Sequence, residues 1–270
     1  MKRKVEIFIS TLAGLYLLLC VGLYFFQDMM LFPGAWSQGS REFVSTESIE
    51  AGHLHTADGT KYRIALGKPA QKPRGVLIFF VGNGEDLVAG VRRVEDFAGY
   101  GLQTLVTEYP GYGASEGKAG FESILAAAES SAQRGRELAE SQGVPLFVGG
   151  QSLGTFPAMH VATMGFGQRL LLASPPTSVK AAGKSRYPFL PIGLLIRHPF
   201  DNLSNAEAIH IPTLIVHGSE DRTVPVEMGE QMARAISGAR LLVAEGRGHN
   251  DLFLGRTGPF AEAIEQLLNR

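Results

Sequence analysis

A chain of 270 residues with 45% hydrophobic side chains can bury one substantial core. A formal net charge of −1, with no long basic run beyond the extreme N-terminus, gives no electrostatic basis for binding nucleic acid. The single cysteine, Cys20, rules out an internal disulfide and a thiolate metal site.

The first element is a twenty-residue uncharged run, Ile7 to Phe26, long enough to cross a bilayer as a helix. Lys2, Arg3 and Lys4 precede it, whereas Asp28 follows and no base appears until Arg41. That asymmetry predicts a cytoplasmic N-terminus, with the rest of the chain on the non-cytoplasmic side, the periplasm in a bacterium. A cleaved signal peptide is the competing reading, but its apolar run should be shorter and end in a small-x-small site. Leu19 before Cys20 argues against a lipoprotein acceptor. The stretch Gln27 to Gly34 has interfacial composition and is expected to lie on the membrane surface.

From Phe43 to Leu66 short extended segments are split by Ala57-Asp58-Gly59-Thr60, whose Asp-Gly pair suits a hairpin turn. Beyond a polar loop, Lys68 to Arg74, strand-like and helix-like segments alternate. Apolar runs occupy Val76–Val81, Leu102–Thr107, Leu146–Gly149, Leu170–Ala173, Ile211–His217 and Leu241–Ala244. Helical patterns lie near Asp86–Tyr100, Phe121–Gln142, Leu153–Met164, Val226–Ile236 and Pro259–Leu268. Continuous apolar strands are covered on both faces, and the alternation implies right-handed crossovers. The predicted fold class is α/β, a mostly parallel central sheet with helices on both faces and an antiparallel early edge. Residues 1–30 form the cytoplasmic tip and anchor, and 31–270 one globular domain with a cap-like insertion near 174–210. Within that insertion Tyr187 to Ile196 is apolar, which suits either an acyl chain approaching from the bilayer or a short helix packed on the core.

Two segments match Gly-x-Ser-x-Gly. Gly150-Gln151-Ser152-Leu153-Gly154 ends an apolar run and opens a helical pattern, the context that pushes a serine hydroxyl out of a sharp strand-to-helix turn. Pro157 fits the start of that helix. Gly113-Ala114-Ser115-Glu116-Gly117 instead follows Tyr109-Pro110-Gly111-Tyr112 and leads into no apolar helix, so Ser115 reads as a loop residue. Ser152 is the candidate nucleophile.

A serine hydroxyl needs a base, and the base needs an acid that fixes its tautomer. In an open parallel sheet these partners come from loops at the C-terminal ends of strands. His249 follows the last strand in Gly246-Arg247-Gly248-His249, and Asp221 follows Ile211–His217, with Glu220 its rival. The loop after the preceding strand, Ser174-Pro175-Pro176, offers no acid. The other histidines sit within strands, helices or the insertion. His53 and His55 share one strand face but lack a nearby carboxylate, so no metal or cofactor is expected. The order Ser152, Asp221, His249 is the one this triad takes on this architecture. Oxyanion donors should be the backbone N–H groups of Leu153 and Asn83, with Asp86 a candidate cap for the helix that follows.

These residues together resemble the α/β-hydrolase superfamily, from about Val44 to the C-terminus. Within it the chain resembles the membrane-anchored serine hydrolases that include the protein-depalmitoylating enzymes and their bacterial relatives. The matching segments are Leu31-Phe32-Pro33 after the anchor, Tyr109 to Gly117, Gly150 to Gly154, His217 to Asp221 and Gly248 to Asp251. Relatives usually carry histidine where this chain has Val81. The resemblance implies an anchored enzyme that cleaves carboxylic esters or thioesters through an acyl-enzyme, acting on a small-molecule or lipid-like acyl substrate. A peptidase on the same triad and a catalytically silent anchored module of the same fold are the alternatives.

Overall fold

The computed structural model describes residues 1–36, 43–253 and 258–269. Helix α1 (Lys2–Leu31) runs unbroken through the uncharged segment, and among the described residues it alone is long and apolar enough to cross a membrane. It continues past Phe26, so Gln27 to Leu31 is helical and Phe32 to Gly34 is built into the domain. Phe32 is buried edge-on against Phe200 and His198, and the Gly34 N–H donates to the Asn83 carbonyl. A fully packed site in the core removes more of the phenyl ring from water than an interfacial one does.

The sheet begins with the hairpin β1 (Ile49–His55) and β2 (Lys61–Gly67), paired antiparallel with Ile49 opposite Gly67. Its turn is held by Asp58, whose carboxylate accepts from the Thr60 N–H (3.1 Å) and the Thr56 hydroxyl. Gly59 takes φ +88°, a conformation that an L side chain resists. The alternation then yields β3 (Gly75–Phe80), β4 (Leu102–Thr107), β5 (Leu146–Gln151), β6 (Arg169–Ala173), β7 (Thr213–Gly218) and β8 (Arg240–Ala244). Among the described residues the sheet has eight strands in the order β1-β2-β4-β3-β5-β6-β7-β8. The β2–β4 pairing is antiparallel, and β3 to β8 are mutually parallel. Every residue of β3, β4, β5 and β7 is buried, which is why these strands read as unbroken apolar runs rather than alternating ones.

Helices α2 (Leu87–Ala98) and α8 (Pro259–Leu268) share one face, where Phe97 and Phe260 both pack on Phe253, and Phe79 reaches Phe97 from the sheet. On the other face Ile78 meets Gly135 of α3 (Phe121–Gln142), and α4 (Thr155–Thr163) packs beside α3. Asp86 caps α2 by accepting from the Ala89 N–H. Between β6 and β7 come α5 (Val179–Arg186), capped by Ser178, and the single turn α6 (Ile192–Leu195). Leu190 and Ile192 of this insertion form a small separate apolar cluster with Cys20 of α1, with Leu23 and Leu195 at its margin. The helix α7 (Val226–Ala235) connects β7 to β8.

Candidate active site

β5 ends at Gln151, and a 3-10 turn, Ser152–Gly154, carries the chain straight into α4. A residue with a side chain cannot turn that sharply without strain, and Ser152 holds φ +52°. The flanking glycines are dictated by space. A Cβ on Gly150 would stand 2.1 Å from the Gly154 carbonyl oxygen, and a Cβ on Gly154 would stand 2.1 Å from that of Phe80. The second serine motif plays a different part. Ser115 is buried, accepts from the Arg63 N–H (2.9 Å) and donates to Glu108 (2.9 Å), whose other oxygen accepts from Leu87 at the start of α2 (2.8 Å).

The loops after β7 and β8 meet. His249 Nδ1 donates to Asp221 Oδ2 at 2.7 Å, with the imidazole largely buried and the carboxylate wholly so. Glu220, the sequence rival, is exposed, and its backbone N–H donates to the Arg247 carbonyl. Asp221 Oδ1 accepts from the N–H groups of Thr223 (2.9 Å) and Val224 (2.8 Å). Its Oδ2 also accepts from the Ser174 hydroxyl (2.7 Å), and His217 Nε2 lies 3.4 Å away while bonded to the Val224 carbonyl at 2.9 Å. Burial pushes this carboxyl up, but the nearby His217 imidazole, the His249 hydrogen bond and charge, and the Val224 N–H outweigh it. The group lies well below the usual carboxylate range.

Ser152 and His249 face the same polar cavity, about 730 Å³, whose wall also includes Asn83, Glu85, Arg92 and Arg93. Among the described residues no hydrogen bond joins the serine hydroxyl to the imidazole, a contact that commonly tightens only when substrate binds. A second, apolar cleft of about 210 Å³ reaches Ser152 from the other side, lined by Leu153, Val224, Ile192 and, from α1, Leu23, Met30 and Leu31. Asn83 borders both cavities. Its carbonyl is tied down by the Tyr112 hydroxyl (2.9 Å) and the Gly34 N–H (3.1 Å), which fixes the peptide unit that follows strand β3. Leu153 lies in the first turn after the elbow, where backbone donors lack intrahelical acceptors.

Solved structures share this architecture. An esterase from Pyrococcus furiosus superposes with a TM-score of 0.68 at 17% identity, over 86% of this chain and 96% of that one. The Butyrivibrio proteoclasticus protein Est1E, determined with ferulic acid bound, gives 0.64 at 19% identity, over 81% and 100%. A family model described as TAP-like protein matches residues 197–269. The human alpha/beta hydrolase domain-containing protein 17B is 28% identical over 246 residues, 87% of this chain and 79% of its own length. The chain has the α/β-hydrolase fold. An uncharacterized protein of Mycobacterium tuberculosis is 30% identical over 173 residues, 63% of this chain, and the match spans 61% of the mycobacterial protein.

Val81 is wholly buried and lies near Gly90 of α2, and its carbonyl accepts from the Tyr109 hydroxyl (2.7 Å). Among the described residues no cluster of three or more histidine, cysteine or acidic side chains could hold a metal ion. The other histidines have separate duties: His160 pairs with Glu129 (2.8 Å) and His198 with Asp28 (2.8 Å).

Sequence reasoning missed four groups. Ser174 was read only as part of a loop without an acid, and His217 only as a strand end, yet both press on Asp221. Gln151, the unnamed residue of the serine motif, donates to the His249 carbonyl (3.0 Å) and accepts from Arg93 (3.0 Å). The wall residues of α1 carried no signal beyond being apolar.

Proposed function

We propose that this chain is a membrane-anchored serine hydrolase that cleaves carboxylic esters or thioesters through an acyl-enzyme. The observation that carries this reading is the 2.7 Å Asp221–His249 bond facing the same cavity as a serine held at φ +52° on a strand-to-helix turn. Ser152 Oγ attacks the carbonyl carbon while His249 Nε2 takes its proton, and Asp221 holds Nδ1–H and stabilises the imidazolium. The Asn83 and Leu153 N–H groups receive the oxyanion. His249 then protonates the leaving alcohol or thiol, and water activated by the same imidazole releases the acid and restores Ser152. The apolar cleft suits the acyl group and the polar cavity the leaving group. No cofactor is required by this sequence of steps. Basic residues in the first turn of α1, ahead of its uncharged run, and their scarcity after that run support an N-terminus in the cytoplasm with the hydrolase domain on the opposite side, periplasmic in a bacterium.

The test is labelling by a fluorophosphonate together with hydrolysis of p-nitrophenyl esters. Wild type should label and turn over, and Ser152→Ala should lose the label and at least about 10³-fold in kcat. A folded wild type that neither labels nor hydrolyses would fit a silent interaction module instead, and cleavage confined to peptides would fit a peptidase.

A further inference from the structure

Helix α1 carries charge at its two ends and none between Ile7 and Phe26. Those twenty residues rise about 30 Å, the thickness of a bilayer's hydrocarbon core. At the far end Asp28 sits in a polar belt with Arg197 (2.5 Å), His198 (2.8 Å) and Lys118 (3.4 Å). That belt marks an aqueous boundary. The insertion after α5 descends below it, along the helix. The Leu195 carbonyl accepts from the buried Gln27 amide (2.9 Å), Leu190 and Ile192 pack on Cys20, and the Phe189 carbonyl accepts from the Tyr16 hydroxyl (2.8 Å). Gln27 to Tyr16 spans about 16 Å of helix. Moving the boundary down to Tyr16 would leave ten uncharged residues, about 15 Å, half of what a bilayer core needs.

The insertion is also built to lie at that depth. Backbone polar groups in hydrocarbon must be satisfied internally. Pro188 and Pro191 carry no N–H, while the N–H groups of Leu190, Leu194 and Ile196 donate to carbonyls within the segment. Gln27 and Tyr16 of α1 serve two of its carbonyls, and Gln27 Oε1 also accepts from the Arg197 N–H (2.8 Å). Two large side chains on the same segment face outward with nothing to cover them: Phe189 is 65% exposed and Leu194 is 84% exposed.

We propose that Tyr187 to Ile196 is immersed in the non-cytoplasmic leaflet beside α1, and that the apolar cleft to Ser152 opens into hydrocarbon. The acyl chain of a membrane-resident ester then slides between Leu23, Met30 and Leu31 of α1 and Leu190 and Leu195 of the insertion, and reaches the serine without crossing water. This rests on the reading of α1 as an anchor and of Ser152 as the nucleophile.

The experiment uses the full chain in phosphatidylcholine vesicles, with Trp36→Phe removing the native indole. One reporter variant is Phe189→Trp and a second is Leu17→Trp on the exposed side of α1. Both should be quenched by lipids brominated along their acyl chains and protected from aqueous acrylamide. Bromine quenching of the Leu17→Trp variant with only acrylamide quenching of the Phe189→Trp variant would overturn the immersion and leave the anchor standing. Bromine quenching of neither would overturn both. In the same vesicles, Phe189→Asp combined with Leu194→Asp should lower kcat/KM on embedded 4-methylumbelliferyl palmitate about tenfold or more, and leave dissolved p-nitrophenyl acetate within about twofold. Equal effects on the two substrates, including none, would overturn the route.

Discussion

Asp221 is the most heavily bonded side chain of the site, and one of its partners, Ser174, repeats the geometry of Ser152. Both are at positive φ, +46° for Ser174, and they are the two non-glycine residues so placed among the described residues. The strain at Ser174 aims its hydroxyl at the oxygen that also receives His249. Ser174→Ala removes one of the bonds that keep this oxygen on the imidazole, and kcat on a short ester should fall about tenfold with KM unchanged. Asp221→Asn should cost far more, about 10⁴-fold, because an amide stabilises the wrong histidine tautomer. The depressed acidity of Asp221 also fixes a stability signature. A carboxyl whose folded value lies below its unfolded value of about 3.9 stabilises fully above that value, and loses its contribution as pH falls from there towards the folded value. In urea melts the gap between wild type and Asp221→Asn should be full near pH 5 and shrink below about pH 4.

The elements that make the sheet were readable because burial on both faces leaves a local signature, an unbroken apolar run such as that of β3. The clamp on the last loop was not. His249 is held at its carbonyl by Gln151, Gln151 is held by Arg93, and the Arg93 guanidinium lies 4.4 Å over the Phe253 ring while bonding Asp96 (3.1 Å). These residues come from β5, α2 and the loop after β8, and nothing in residue type or spacing links them before folding. The same limit explains Phe32, whose place beside Phe200 exists only in the tertiary fold. The clamp makes a prediction of its own. Arg93→Ala or Gln151→Ala should loosen the histidine loop, lower kcat about tenfold and slow fluorophosphonate labelling of Ser152, with KM for a short ester little changed. Steady-state kinetics and labelling rates measured side by side would check it, and loss of KM with intact kcat would assign the clamp to substrate binding instead.

At the scale of the whole molecule, the proposed anchor α1 and the domain after it invite a reading as tether and cargo, in which deleting α1 would leave the domain intact. Here the last turns of the helix are part of the cargo. Leu23, Met30 and Leu31 wall the apolar cleft, and Gln27 supplies partners to the Leu195 carbonyl and the Arg197 N–H. A chain beginning at Phe32 would open one side of that cleft and bare Leu190 and Ile192, each worth about 1.5–3 kcal/mol of burial when fully covered. Such a protein should bind a hydrophobic dye and associate, and it should keep turnover of acetate esters while losing preference for longer chains. The point variant Gln27→Ala separates polar pairing from packing. It leaves the apolar wall in place and orphans two backbone groups, so thermal unfolding should show a loss of about 1–3 kcal/mol per group. Chain-length preference should survive that substitution but not the deletion, because the wall, rather than the pairing, meets the acyl group. A truncated enzyme with the full-length protein's chain-length profile would show that α1 contributes nothing to the acyl site.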